Sequence, residues 1–88
     1  MEFRWNEWNI WHIAKHGVEP KEAEMAIRGA RRPFPRKIEE DKWLVWGRGH
    51  GGRFLQVIYV VDPDESMYVI HSRELNNQEK RRFRRGAR

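Results

Sequence analysis

The stretch Trp5-Asn6-Glu7-Trp8-Asn9-Ile10-Trp11-His12-Ile13-Ala14-Lys15-His16-Gly17-Val18 crowds three tryptophans, two histidines and a lysine into one short run. It reads as a helix from about Glu7 to His16. Asn6 suits the N-cap, and Glu7 suits the positive end of the helix dipole. Gly17 fits the left-handed residue that closes a helix, with Val18 folding back onto it. At helical spacing Ile10, Ile13 and Ala14 share one face, with Trp11 at its margin, while Trp8, His12, Lys15 and His16 lie on the other side. The expectation is an aliphatic face in the core and an imidazole, ammonium and indole face outside it, with Trp11, Trp43 and Trp46 as core aromatics.

A second helix is expected from Pro20, a residue suited to a first helical position. Ala23, Ala26, Ile27 and Ala30 recur at helical spacing, and Pro33 and Pro35 cannot continue it. Three strand signals come next: Lys42–Arg48, Arg53–Val61 and Met67–Arg73, the first two joined by a flexible glycine-rich loop that carries His50. Asp62-Pro63-Asp64-Glu65-Ser66 is a turn. A short edge strand around Arg32–Lys37 would be a fourth. The last helix begins near Asn77, where Asn76 and Glu79 form a capping box, and Phe83 is its one large apolar anchor. The order defines an α+β fold: two N-terminal helices, an antiparallel sheet of three to four strands, and a basic C-terminal helix.

At 88 residues the chain is read as a single domain, residues 1–88, close to the lower limit for a self-sufficient core. Its five tryptophans, four phenylalanines and two tyrosines compensate for that size. Absence of cysteine favours a reducing cytoplasm and rules out thiolate zinc sites. No apolar run approaches the length of a membrane span. The net charge of +5 resides wholly in residues 71–88, because residues 1–70 hold equal numbers of each sign. A clustered excess points to a polyanion or an acidic protein surface.

Several pieces, in this order and spacing, resemble the BrnT-type toxins of bacterial type II toxin–antitoxin systems. They are Phe3-x-Trp5, Lys15-His16-Gly17-Val18, Glu22-Ala23, Gly47-Arg48 with Gly52-Arg53, the Leu55–Tyr59 strand, Arg73, and Glu79-Lys80-Arg81. The resemblance covers nearly the whole chain. It implies a RelE-like ribonuclease fold, metal-independent RNA cleavage, no cofactor, and neutralisation by an antitoxin protein through which alone DNA would be contacted. Asn6, Asn9, His12, His71 and Ser72 differ from the residues usual in that family. A second reading therefore stays open: a non-catalytic RNA- or protein-binding module of the same fold.

Cutting RNA without a metal requires a base at the 2′-hydroxyl, an acid at the leaving 5′-oxygen and cations on the phosphate. His71 and Arg73 alternate on one strand and so share a sheet face. Arg48, ending another strand, is expected to project beside them. Proton transfer is assigned to His71 and phosphate stabilisation to Arg48 and Arg73. Lys15, His16, His50, Arg53, Arg81, Arg82 and Arg85 are the expected substrate-binding residues. His12 and His16 have a metal-compatible i, i+4 spacing but no third ligand nearby, so no metal site is assigned.

Overall fold

The computed structural model describes residues 1–86, so Arg88 of the basic end lies outside the described residues. The elements run β1 (Phe3–Arg4), α1 (Glu7–Ala14), α2 (Pro20–Arg28), β2 (Arg36–Glu39), β3 (Lys42–Arg48), β4 (Phe54–Val61), β5 (Met67–Glu74) and α3 (Asn77–Gly86). The strands form one sheet in the order β1-β5-β4-β3-β2. The α+β class is as expected, but the sheet has five strands and is mixed. Phe3-Arg4 pairs parallel with Met67-Tyr68, a strand too short to leave a period-2 signal in the sequence. Arg4 fixes this edge by an ion pair to Asp62 at 2.8 Å. The fourth antiparallel strand is present at Arg36–Glu39, a few residues later than Arg32–Lys37, because Pro33 and Pro35 cannot donate to a ladder.

Alternation sorts the sheet into two faces. Val45 and Gly47 of β3, Leu55, Val57 and Tyr59 of β4, and Val69 of β5 are buried beneath α1 and α2, where Ile13, Ala23, Ala26 and Ile27 complete the core. The approach of α2 to β3 is close. A Cβ at Gly47 would lie 2.5 Å from the Ala26 carbonyl oxygen. The opposite face carries Leu44, Trp46 and Arg48 against Phe54, Gln56 and Ile58, in register Leu44↔Ile58, Trp46↔Gln56 and Arg48↔Phe54. Phe83 of α3 packs on this second face, with ring centroids 5.4 Å from Phe54, 6.4 Å from Trp46 and 6.3 Å from Phe34. The capping box of α3 forms as expected: Asn76 N–H donates to Glu79, and Glu79 N–H to the Asn76 side chain, both at 2.9 Å.

The opening helix corrects the sequence reading. It ends at Ala14, with Lys15 and His16 in the following turn. Its core contacts are Asn9 and Ile13, both fully buried, whereas Ile10, Trp8 and Trp11 are exposed. The cause is the position of α1 at the open edge of β5, where main-chain carbonyls need donors. Asn9 Nδ2 donates to the carbonyls of Arg4 and Val69 at 3.1 Å each, and its Oδ1 accepts from the Asn6 N–H at 2.8 Å. Satisfying those groups turns the polar Asn9 inward and Trp11 outward. Gly17 and Val18 behave as expected: Gly17 has φ +72°, and Val18, nearly fully buried, donates back to the Ile13 carbonyl.

Candidate functional site

His71 sits at the β5 edge, paired with Ile58 beside a bulge that interrupts the ladder between Ile58 and Tyr59. The bulge lets its ring meet that of His16, edge to face, at a centroid distance of 5.8 Å. His71 is half-buried. Burial first, then the positive charges of Arg73, His16 and His12, push its pKa below the ordinary histidine value. At neutral pH this imidazole is therefore uncharged and free to accept a proton. Around it, Trp8 stacks on His12 at 5.0 Å with the rings 6° from parallel, and the Lys15 ammonium lies 4.4 Å above the Trp11 ring. His12, His16 and His71 thus gather where α1 meets β5, with Lys15 in the turn beside His16. Among the described residues no group of three or more His, Cys, Asp or Glu side chains is placed to hold a metal ion.

Arg73 lies two residues along the same strand, opposite Gln56. Its guanidinium grips Glu79 with two prongs, at 2.8 and 2.9 Å, and donates to the Glu74 carbonyl. Those bonds and the Asn76 N–H hold the Glu79 carboxyl at a pKa of about 2. Arg73 thereby fastens α3 to the sheet, and only part of its donor set remains for a phosphate. Arg53 is spent in a similar way. It chelates the buried Glu22 and donates to the Gly17 carbonyl. Glu22 also accepts from His50 N–H at 3.1 Å, so the glycine-rich loop is pinned to α2. The expectation of a flexible loop is corrected accordingly. A Cβ at Gly49 would lie 2.5 Å from Glu22, which explains a glycine at that point.

Arg48 shares the sheet face of Arg73 but does not stand beside His71. The register puts it two strands away and four residues along from the Leu44–Ile58–His71 row, about 17 Å at roughly 4.8 Å per strand and 3.4 Å per residue. The expected trio therefore does not converge on one cleft. Arg48 belongs instead to a groove of about 1060 Å³ between α3 and the chain that connects α2 to β2. Phe34, Trp46, Phe54 and Phe83, all half-buried, lie along it. The charged residues of its wall are Arg31, Arg32, Arg36, Arg48, Arg82 and Arg84, with no carboxylate among them. Four guanidinium groups lie over rings: Arg36 on Phe34 at 5.4 Å, Arg48 on Phe54 at 5.2 Å, Arg82 on Trp46 at 5.5 Å and Arg84 on Phe54 at 5.4 Å.

The expected binding residues divide between these places. Lys15 and His16 stand at the histidine edge, Arg82 in the groove, and Arg53 in a structural ion pair. Arg81 and Arg85 line a separate shallow hollow with Gln78 and Arg82. His50 has an exposed side chain beside the groove. Sequence reasoning missed Arg31, Arg32, Arg36 and Phe34. Their signal was the Arg31-Arg32-Pro33-Phe34-Pro35-Arg36 run, read as a helix stop leading into an edge strand. No protein-family model, curated protein or solved structure matches the chain. No helix among the described residues is long and apolar enough to cross a membrane.

Proposed function

We propose that the chain is a RelE-like ribonuclease similar to the BrnT-type toxins, cutting RNA in the cytoplasm without a metal ion and held inactive by an antitoxin protein. The observation that carries this reading is the His16–His71 pair at the open edge of β5. Neutral His71 takes the proton of a ribose 2′-hydroxyl. The 2′-oxygen attacks phosphorus, the bond to the 5′-oxygen breaks, and His16 hands a proton to that leaving oxygen. The products are a 2′,3′-cyclic phosphate and a free 5′-hydroxyl. Lys15 and the uncommitted N–H groups of Arg73 serve the phosphate charge.

Purified protein incubated with mixed-sequence RNA in EDTA tests this directly. The expected result is cyclic-phosphate-ended fragments with the wild type and a loss of rate on the order of 10²–10⁴ with His71→Ala. The base limb of the pH profile should lie below pH 6.5, the ordinary histidine value, since a depressed pKa keeps His71 deprotonated further into acid. RNA left intact by both proteins removes the cleavage reading. The second reading, an RNA-binding module without catalysis, draws its support from the bidentate Arg73–Glu79 pair, which occupies the arginine nearest the histidines.

A further inference from the structure

We infer that the groove between α3 and the α2–β2 connection is a binding site for single-stranded RNA, separate from the histidine edge and engaging phosphates and bases together. This assignment rests on RNA being the ligand class of the protein. Arg31, Arg32, Arg36, Arg48, Arg82 and Arg84 converge on one cavity without a carboxylate in its wall. Of the other cations, Arg4, Arg28, Lys42, Arg53, Arg73 and Lys80 are each paired with an acid, whereas Lys15, Lys21, Lys37, Arg81 and Arg85 form no ion pair among the described residues but line no part of this cavity. Among the described residues none of the six groove arginines forms an ion pair or donates a side-chain hydrogen bond. Like charges held this close repel unless an anion joins them.

A guanidinium resting on an aromatic ring is held by its face, and its N–H edge stays available. Four of the six arginines lie over a ring, which suits the two-pronged capture of phosphate. The aromatic lining separates a nucleic acid from an acidic peptide. Phe34, Trp46, Phe54 and Phe83 lie along the groove, and each is only half-buried. Bases stack on aromatic rings and guanidinium planes regardless of sequence, and only an unpaired strand presents them. A peptide carboxylate uses the N–H edges of the arginines but leaves the guanidinium planes that cover Phe34, Trp46 and Phe54 without a stacking partner.

The test is the affinity of a fluorescein-labelled 2′-O-methyl oligouridylate, a strand that cannot be cut, measured by anisotropy across a range of salt. Arg31→Gln/Arg36→Gln is compared with Lys21→Gln/Lys37→Gln, which removes the same charge outside the groove. Lys37 pairs with Trp43, on the opposite sheet face from Arg36. The groove variant should bind at least about tenfold more weakly, with a salt slope shallower by about 1.4, because each single-strand phosphate contact contributes about 0.7. The lysine variant should resemble the wild type, and a duplex of equal length should bind less well than the strand. Equal losses in the two variants, or preferential binding of a polyglutamate peptide, overturn the assignment. If the strand binds the groove while cleavable RNA stays intact in EDTA, the cleavage proposal fails and the groove stands. If RNA is cut but the two variants bind alike, the groove fails and the cleavage proposal stands.

Discussion

Glu79 ties the C-terminal helix to the sheet through a single carboxylate. One carboxylate accepts the Asn76 N–H that starts α3 and both prongs of Arg73 from β5. Those partners hold its pKa down to about 2 from an ordinary 4.5. The unfolded chain therefore takes up the proton first, so this contribution is fully present above about pH 4.5 and disappears as the pH falls toward 2. Glu79→Gln keeps the shape but removes the charge, and urea unfolding at neutral pH should show a loss of about 1.5–3 kcal/mol. The two proteins should become alike in stability at the acid end of the range. Glu79 was legible in the sequence as a capping residue, because Asn76 stands three residues before it. Its second role was not, since nothing in the order of residues says that Arg73 turns toward α3 rather than toward a ligand.

At the scale of elements, helix and strand identities followed from short-range patterns that the structure keeps: Pro20 opening α2, Gly17 closing the α1 turn, and alternation along β4. The orientation of α1 did not follow. Hydrophobic spacing favoured an Ile10/Ile13/Ala14 face, and the carbonyls at the β5 edge favoured Asn9 and Ile13. The hydrogen-bonding demand prevailed because a buried carbonyl without a donor costs more than an exposed isoleucine. Packing of α2 on β3 rests on the absence of a side chain at Gly47. Gly47→Ala drives a methyl group into the Ala26 carbonyl, and we expect a loss of about 1–3 kcal/mol, seen as a lower melting temperature with the sheet retained by circular dichroism.

At the scale of the whole molecule, charge counting along the chain pointed to residues 71–88 and to nothing before them. Residues 1–70 sum to zero, yet they supply Arg31, Arg32, Arg36 and Arg48 to the groove. Their balancing acids lie elsewhere: Glu22 under the glycine loop, Glu24 on Trp5 and Arg28, and Asp62 on Arg4. A sum over sequence averages away a separation that exists only after folding, which is why the basic tail was visible and the groove was not. The molecule thus presents two separate surfaces: the His16–His71 pair at the β5 edge, and arginines on aromatic rings beside α3.

Titration of the labelled protein with the uncleavable oligouridylate, followed by the tryptophan indole and arginine Nε–H signals in nuclear magnetic resonance spectra, tests that arrangement most directly. Trp46, whose indole N–H donates to Gln56 at 3.1 Å on the groove face, should shift together with Arg36 and Arg48. Trp5, whose indole N–H is held by Glu24, should stay in place. Spectra in which Trp46 and the groove arginines do not move while the strand binds would contradict the account.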